Sequence, residues 1–310
     1  MCRDLSAMQM SGARVRALNS RFGSPGILFR EGPGGLERID IENPHATASL
    51  ALQGAHLLEW TPRDEQPVIW VSEAARYEPG VAIRGGIPIC WPWFGPHATN
   101  PRLPQHGLAR TAEFQVVAVE RLFDHRTRIT FRLPDGQVEA AWPHPTELLY
   151  MVTVGRALEL DLVTRNAGPE PVTIGQALHT YFRVSDYTRV TVHGLEGCRY
   201  LDRVAGGERV QDRPLTLAGK TDRTYLQSVR DCILEDPGLS RSIRISKRNS
   251  HSTVVWNPAL GGVSPGSDFG ASGSRHMLCL ETANAGADAV RLEPHAVHLL
   301  FARFTVAPVG

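Results

Sequence analysis

Apolar and polar residues alternate along most of the chain. In the segment 158–168, LELDLVTRNAG, apolar residues recur at every second position through Leu162. The segment 127–136, TRITFRLPDG, repeats the pattern, which is typical of a strand with one buried face. Further segments with a strand-like composition are 46–60, 114–123, 147–155, 171–182, 252–258, 275–284 and 298–307. Turn sequences such as PDG, NAGPEP and DPG separate these segments, so the pattern predicts an antiparallel all-β protein.

The number of short strands predicts two large sheets packed face to face. Helical segments are few and short, and SEAAR (72–76) is predicted to form one or two helical turns. No linker or shift in composition divides the chain, so we expect a single domain over 27–310. An N-terminal extension, 1–26, precedes it and is expected to be partly disordered. The glycine- and serine-rich segment 261–275 is predicted to be a flexible loop between two strands.

Composition excludes several classes of function. The formal net charge is +1, from 33 basic and 32 acidic residues, which gives no reason to expect nucleic acid or an acidic membrane as a partner. No apolar run approaches the roughly 18 residues that span a bilayer, and the N-terminus lacks the apolar core of a secretory signal. Five scattered cysteines form no CxxC pair, so neither a metal site nor a disulfide framework is indicated. We therefore expect a cytoplasmic protein.

No P-loop, dinucleotide fingerprint, HExxH or GxSxG motif is present, so candidate chemistry is sought on the strands. If 173–186 is a strand, His179 shares a face with Gly175 and Ala177, whose small side chains leave room for a ligand. The pattern alone still favours a half-exposed histidine that bonds only a neighbour. In MLCLETANA (277–285), Glu281 interrupts an apolar run, and the resulting desolvation raises the pKa as a general base requires. A salt bridge to an arginine explains that pattern equally well.

Two loops carry residues that are placed to converge on an anion. Arg84 lies in AIRGGIPICWPWFGPH (82–97), and His106 and Arg110 lie in PQHGLART (104–111). Arginine side chains match the geometry of phosphate, although a surface ion pair is the simpler interpretation of each one. The glycines beside Arg84 are expected to let the backbone approach a ligand closely. Asp222 precedes a strand, where an aspartate is usually a turn or cap residue.

The segments IRGGIPICWPWFGPH, PQHGLART, ALHTYF, TDRTY, VVWNP and CLETAN occur in the order found in the hexose-6-phosphate mutarotases. From about residue 27 to the C-terminus, the sequence resembles this family of glucose-6-phosphate 1-epimerases, within the aldose 1-epimerase superfamily. The resemblance implies a β-supersandwich with a sugar-binding groove across one concave sheet. It also implies that the protein interconverts the α and β anomers of a hexose 6-phosphate, glucose 6-phosphate above all, with no metal or organic cofactor.

The resemblance also assigns roles to residues. The histidine of HTYF is the family's general acid and the glutamate of the ET segment its general base, which correspond to His179 and Glu281. The implied substrate-binding residues, whose arginines hold the 6-phosphate, are Arg84, Gln105, His106, Arg110 and Asp222. Ring opening needs His179 charged while Glu281 is ionised, so the two groups need opposed environments. Asp222 and the phosphate are expected to help keep His179 protonated.

The sequence departs from the family pattern after VVWNP. The segment 259–276 is longer and lacks the usual tryptophan and lysine, which could alter one rim of the groove and with it the substrate preference. In PHAVH (294–298), His298 is kept but His295 replaces a glycine, which looks like a change of turn.

Two other functions remain open. The loop arginines argue against a mutarotase of unphosphorylated aldoses. The presence of both His179 and Glu281 argues against a non-catalytic carbohydrate-binding or regulatory protein on the same fold. We expect a monomer whose only partner is a small-molecule sugar phosphate, without nucleic acid or membrane.

Overall fold

A computed structural model describes residues 5–260, 264, 267–270 and 273–309 of the chain. In this part of the chain the α-helix is α1 (Leu5–Phe22). The strands are β1 (Ile27–Glu31), β2 (Glu37–Glu42), β3 (Ala46–Ala51), β4 (His56–Pro62), β5 (Ile89–Cys90), β6 (Gln115–Arg121), β7 (Thr127–Arg132), β8 (Thr146–Val154), β9 (Ala157–Asn166), β10 (Val172–Ile174), β11 (Gln176–Leu178), β12 (Tyr181–Arg183), β13 (Thr191–His193), β14 (Arg199–Asp202), β15 (Glu208–Val210), β16 (Thr221–Leu226), β17 (Cys232–Asp236), β18 (Arg241–Arg248), β19 (Ser252–Asn257), β20 (Met277–Asn284), β21 (Val290–Leu292) and β22 (Val297–Pro308). Single 3-10 turns lie at Pro33–Gly35, Ala109–Thr111, Pro237–Leu239, Gly273–His276 and Gly286–Asp288.

The alternation in the sequence corresponds to burial in the strands. In β9, Leu158, Leu160 and Leu162 are fully buried, whereas the residues between them are partly exposed. In β7, Ile129 and Phe131 are buried in the same way. Burying each of these side chains contributes roughly 1.5–3 kcal/mol, so the alternating residues decide which face of each strand turns inward.

The strands form two eight-stranded antiparallel sheets, which confirms the predicted fold class. The first, which we call the site sheet, has the order β15-β14-β16-β19-β20-β11-β5, and β12 also pairs with β20. The second, which we call the back sheet, has the order β13-β17-β18-β22-β9-β8-β7-β6. A four-stranded sheet of β1 to β4 and the pair β10-β21 complete the described strands.

The main core lies between the site sheet and the back sheet. Phe182 of β12 meets Phe304 of β22 with ring centroids 5.0 Å apart. On β20, Leu278 and Leu280 belong to this core, whereas Cys279 belongs to a separate buried cluster on the other side of the strand. The outer face of the site sheet is therefore available for a ligand while its inner face holds the fold together.

Two predicted strands are divided in the structure. The segment 46–60 forms β3 and β4, because Gly54 and Ala55 adopt positive φ angles and turn the chain. The segment 171–182 forms β10, β11 and β12. It breaks because Gly175 and His179 donate their backbone N–H groups to carbonyls of the 88–92 segment instead of continuing one ladder.

The helix α1 is absent from the sequence-based prediction. It packs against β1, where the Asn19 side chain bonds both the N–H and the C=O of Phe29 at 2.9 and 2.7 Å. The first four residues of the N-terminal extension lie outside the described residues. The prediction of a short helix at 72–76 is wrong: the segment forms a turn, in which the Ser72 hydroxyl accepts from the N–H of Ala74. No helix among the described residues combines the length and the apolar character that a membrane span requires.

Candidate active site

A cavity of about 330 Å³ opens on the outer face of the site sheet. Its lining includes all seven residues that the sequence singles out, from five separate stretches of chain: Arg84, Gln105, His106, Arg110, His179, Asp222 and Glu281. The sequence placed these residues only on faces and loops, and the fold brings them to one concave surface. No residue of the predicted set lies elsewhere.

The register between neighbouring strands determines which side chains form the floor of the cavity. Trp256 of β19 lies opposite Cys279 of β20, which in turn lies opposite Tyr181 of β12. Val254 of β19 lies opposite Glu281. Since side chains at matching positions of neighbouring strands point to the same face, this row brings an apolar floor up to the carboxylate of Glu281.

His179 and Glu281 form a buried pair at this floor. His179 Nε2 lies 3.3 Å from Glu281 Oε1, and the two side chains are only 9% and 1% exposed. The His179 ring stacks on Tyr181 at a centroid distance of 4.9 Å. His179 Nδ1 and Glu281 Oε2 are buried and have no hydrogen-bond partner in the described structure. Buried polar atoms are normally bonded, so these two atoms are open to a ligand.

Burial opposes the charges that the sequence-based mechanism requires of the pair. Desolvation, and then the charge of Asp222, raises the pKa of Glu281 well above its usual value, as the sequence predicted. Desolvation also lowers the pKa of His179 well below its usual value, and His106, Arg110 and Arg84 add to the effect. The expectation that Asp222 keeps His179 protonated is therefore wrong for the free site, because desolvation and the nearby cationic groups dominate. The site favours a neutral imidazole and a protonated carboxyl.

His106 is a neutral hydrogen-bond donor toward the cavity. Burial and the nearby arginines, Arg110 first, lower its pKa to about 3. Its Nδ1 accepts from the N–H of Gly95 at 3.3 Å, so the proton of the neutral ring resides on Nε2. The ring stands edge-on to His179 at a centroid distance of 5.6 Å. A sugar oxygen between the two rings can accept from His106.

Arg84 is not an unpaired cation. Its Nε lies 3.2 Å from Asp268 Oδ1, and its Nη1 donates to the Tyr181 hydroxyl at 3.1 Å. The guanidinium also lies over the ring of Phe269, 4.6 Å from its centroid. Asp268 and Phe269 belong to the segment 261–275, and the prediction that it is flexible falls partly on positions outside the described residues. Within the described part, this segment contributes the ring of Phe269 to the cavity wall and an anionic partner for Arg84.

The glycines beside Arg84 serve packing rather than ligand approach. A Cβ on Gly85 would lie 2.5 Å from Val71 Cα, and one on Gly86 would lie 2.3 Å from His56 Nε2. Both glycines have positive φ angles, which other residues rarely adopt. The sequence predicted that these glycines let the backbone approach a ligand. In the structure they allow a tight contact with Val71 and His56 instead.

Arg110 and Asp222 complete the polar rim. Arg110 Nη2 donates to the Gln105 carbonyl at 2.6 Å, which fixes the loop that carries Gln105 and His106. Asp222 stands on β16 opposite Trp256, and burial raises its pKa from its usual value. A carboxylate beside an aromatic floor is well suited to bind sugar hydroxyls.

The model of one protein family, described as aldose 1-epimerase, matches residues 37–304. The chain belongs to the aldose 1-epimerase family. A relative from Escherichia coli K12, named "Putative glucose-6-phosphate 1-epimerase", is 38% identical over 264 residues, which are 84% of this chain and 87% of that protein. A relative from Cenchrus ciliaris with the same name is 30% identical, over 84% of this chain and 82% of that protein.

Solved structures of the family share the fold. A Salmonella typhimurium structure described as a "putative mutarotase (YeaD)" is 33% identical and has a TM-score of 0.84, with 92% of this chain and 95% of that chain covered. A galactose mutarotase related enzyme from Lactobacillus acidophilus, 14% identical, shares the fold with a TM-score of 0.70, over 86% of this chain and 96% of that chain. As a member of this family of epimerases, the chain is an isomerase acting on a sugar, which argues against the non-catalytic alternative.

Sequence reasoning missed several residues that line the cavity. Arg203 follows β14, and its Nε lies 4.0 Å from Asp222 Oδ1. Trp256 and Phe269 supply aromatic surface to the cavity wall, and their ring centroids lie 5.8 Å apart. For Trp256, the alternation in STVVWNP could have indicated which face of the strand the side chain occupies. For Arg203, in the turn LDRVAGG, no periodicity or motif pointed to the site.

Proposed function

We propose that the protein interconverts the α and β anomers of a hexose 6-phosphate, with glucose 6-phosphate as the preferred substrate. The observation that carries the proposal is the buried His179–Glu281 pair, 3.3 Å apart, at the floor of a cavity that three arginines also line. An acid–base pair suits the opening of a hemiacetal, and arginines suit a phosphate. The names of the relatives from Escherichia coli and Cenchrus ciliaris point to the same substrate.

The reaction opens and recloses the sugar ring without a change of oxidation state. Glu281 takes the proton of the anomeric hydroxyl, His179 gives a proton to the ring oxygen, and the C1–O5 bond breaks. Rotation about C1–C2 then presents the other face of the aldehyde. Closure with both proton transfers reversed gives the other anomer. Each positioned group contributes roughly 10²–10⁴-fold in reactions of this kind.

Burial favours the proton distribution that is reached when the ring is open. Before ring opening the carboxylate is anionic and the imidazolium cationic, and after both transfers the two groups are neutral. The raised pKa of Glu281 and the lowered pKa of His179 stabilise the neutral arrangement relative to the charged one. The closed-ring complex with a neutral pair shares this stabilisation, so the charged pair is the less populated form from which ring opening starts. The two proton transfers then return the pair to the arrangement that burial favours.

The remaining predicted residues bind the substrate in this proposal. Arg84 and Arg110 bind the 6-phosphate, and each charge-assisted hydrogen bond contributes roughly 1.5–3 kcal/mol. For Arg84, the phosphate takes the position of the Asp268 carboxylate or shares the guanidinium with it. Asp222 and Gln105 contact the sugar, and His106 donates from Nε2 to a sugar oxygen.

The test replaces each member of the pair by its uncharged isostere. Glu281→Gln and His179→Asn should lower kcat for anomerisation of glucose 6-phosphate by at least roughly 100-fold, measured by NMR exchange between the anomers. Matched controls are Glu120→Gln and His125→Asn, which lie on the exposed surface away from the cavity. His125 has a φ of 65°, which asparagine tolerates well. Wild-type exchange rates in either cavity variant would contradict the assignment.

Specificity is tested with the wild-type protein. Its kcat/KM for glucose 6-phosphate should exceed that for glucose, because only the former can engage the arginines. Equal values for the two sugars would favour a mutarotase of unphosphorylated aldoses.

A further inference from the structure

Arg203 is held rigidly at the wall of the cavity by its backbone. Its N–H donates to the carbonyl of Asp222 at 2.9 Å. The preceding residue, Asp202, accepts from the N–H groups of Val204 and Ala205 at 3.0 and 2.9 Å, which fixes the turn that follows β14. Asp202 is itself buried and pairs with Arg223 at 3.3 Å. These hydrogen bonds fix the backbone conformation at Arg203 and therefore the position of its Cα on the rim of the cavity.

The guanidinium of Arg203 faces the cavity without a close partner. Its nearest carboxylate oxygen, on Asp222, is 4.0 Å away, and the side chain is 49% exposed. Among the described residues it makes no side-chain hydrogen bond. Its Nη1 also lies beside Gly95, where an added Cβ would stand 3.9 Å away. Gly95 in turn bonds the turn of His106, so the free N–H groups lie where the rim passes from β14 to the His106 loop.

The other two arginines of the cavity have closer partners. Arg84 is paired with Asp268 at 3.2 Å, so its charge is already balanced within the protein. Arg110 donates to the neutral carbonyl of Gln105, which leaves its charge uncompensated there. A phosphate monoester carries about −1.5 to −2 charges at neutral pH. One free charge does not match it, whereas Arg110 and Arg203 together do.

Arg203 also acts electrostatically on the interior of the cavity. Burial and Arg110 lower the pKa of His106, and the charge of Arg203 lowers it further. Burial and Asp222 raise the pKa of Glu281, and Arg203 opposes that rise. A cation that influences both groups lies close to the space that a ligand would occupy.

We infer that Arg203 is a further phosphate-binding residue, which with Arg110 supplies the charge that selects a phosphorylated sugar. The inference rests on the proposed function, and it moves the main burden of phosphate recognition from Arg84 to Arg203. The guanidinium turns from its long contact with Asp222 to the phosphate and donates two N–H groups to it, in the forked geometry that arginine favours. Asp222 is thereby released toward the sugar hydroxyls.

The test compares Arg203→Gln with Arg209→Gln, a change at an exposed arginine on β15 outside the cavity lining. Arg203→Gln should raise the KM for glucose 6-phosphate roughly ten- to a hundredfold. The ratio of kcat/KM for glucose 6-phosphate to that for glucose should fall at least tenfold. Binding of inorganic phosphate, measured by calorimetry, should weaken in parallel. Arg203→Lys should recover part of the loss, because it restores the charge but not the fork, and Arg209→Gln should match the wild type.

The other possible results distinguish failure of this inference from failure of the proposed function. A wild-type KM and wild-type phosphate affinity in Arg203→Gln overturn the inference and leave the proposed function intact. So does an equal loss on both sugars, which would show that Arg203 acts on the sugar through Asp222. If the wild-type protein does not speed the anomerisation of glucose 6-phosphate, the proposed function fails, and phosphate calorimetry on the same variants still decides whether Arg203 binds the anion.

Discussion

At the scale of single residues, the proposed mechanism makes the response of the site to pH depend on the proton that His179 and Glu281 share. The active pair carries one proton, so it is inactivated when that proton is lost or a second one is gained. Because the two groups lie 3.3 Å apart, both limbs of the kcat/KM profile belong to the pair rather than to one residue.

Arg110→Gln should move both limbs to higher pH. The positive charge of Arg110 lowers the pKa of His179 and also that of Glu281, so removing it raises both. The profile should be measured with glucose, because the second ionisation of a sugar phosphate, near pH 6, would overlap with the acid limb.

Arg102→Gln is the matched control, since Arg102 is exposed on the same loop and does not line the cavity. Its profile should superimpose on that of the wild type. Limbs that stay in place in Arg110→Gln, or move to lower pH, would refute this account of the charges around the pair.

Most site residues could be predicted because they stand in short motifs or at alternating strand positions. Alternation alone placed His179 beside small residues and Glu281 in an apolar run, but it did not distinguish catalytic residues from a bonded histidine and a salt bridge. The family motifs made that distinction. The partner of Arg84 was not predictable, because Asp268 is 184 positions away in a segment without periodicity. Arg203 was missed for a similar reason: it enters the cavity only because β14 pairs with β16, which no local pattern reveals.

At the scale of elements, the described residues 267–270 contribute Phe269 to the cavity wall. Phe269 stacks against Trp70 with centroids 5.8 Å apart, and Asp268 pairs with Arg84. The sequence departs from the family pattern in this region. The segment therefore bears directly on the charge that the cavity presents to an anionic substrate.

Asp268→Asn should lower the KM for glucose 6-phosphate about two- to fivefold, the range expected for removing a competing, partly exposed ion pair. The asparagine oxygen can still accept from Arg84 and keep it in place, while the charge of Arg84 becomes available. Steady-state kinetics with Asp135→Asn, an exposed aspartate outside the cavity lining, provide the comparison. A rise in KM would mean that Asp268 orients Arg84 for the phosphate instead of competing with it.

Strands that follow one continuous alternation of apolar and polar residues were predictable. The points at which such an alternation breaks into several strands were not. The buried face of β9 follows directly from the alternation of its leucines. The breaks between β10, β11 and β12 depend on hydrogen bonds to a distant loop, so the continuous pattern of 171–182 conceals them. The helix α1 had a signal, since Val15, Leu18 and Phe22 pack against the core at helical spacing, but the polar residues and arginines between them obscured it.

At the scale of the whole molecule, buried neutral histidines link stability to acidity. His56 is fully buried, and burial lowers its pKa from 6.5 to about 4. Below pH 6.5 the unfolded chain protonates this side chain while the folded protein does not, so the free energy of unfolding falls as the pH drops toward 4. A difference of this size corresponds to about 3 kcal/mol.

His56→Gln should therefore reduce the loss of stability between pH 7 and pH 4.5, measured by urea unfolding. The glutamine amide can still donate to the Gly85 carbonyl that His56 now bonds at 2.7 Å. His125→Asn controls for substitution at an exposed histidine. An unchanged pH dependence in His56→Gln would show that other groups cause the acid sensitivity.

The sandwich as a whole was predictable because alternation, turn sequences and the family motifs agree along the chain. The order of strands in the site sheet was not, since β5, β11 and β20 become neighbours through contacts between distant parts of the chain. The cavity depends on this strand order, so it was not predictable from local patterns. It exists only when the order of the sheet is complete.

This arrangement has a consequence for the growing polypeptide. Arg84, Arg110 and Glu281 meet in one cavity although they are distant in the sequence. In the proposed mechanism, a nascent or truncated chain that stops before β20 therefore lacks the general base. A bound sugar phosphate bridges regions that are made at different times, and mass action then favours the completed sheet. The substrate of the mature protein thus acts as a ligand that stabilises its finished form.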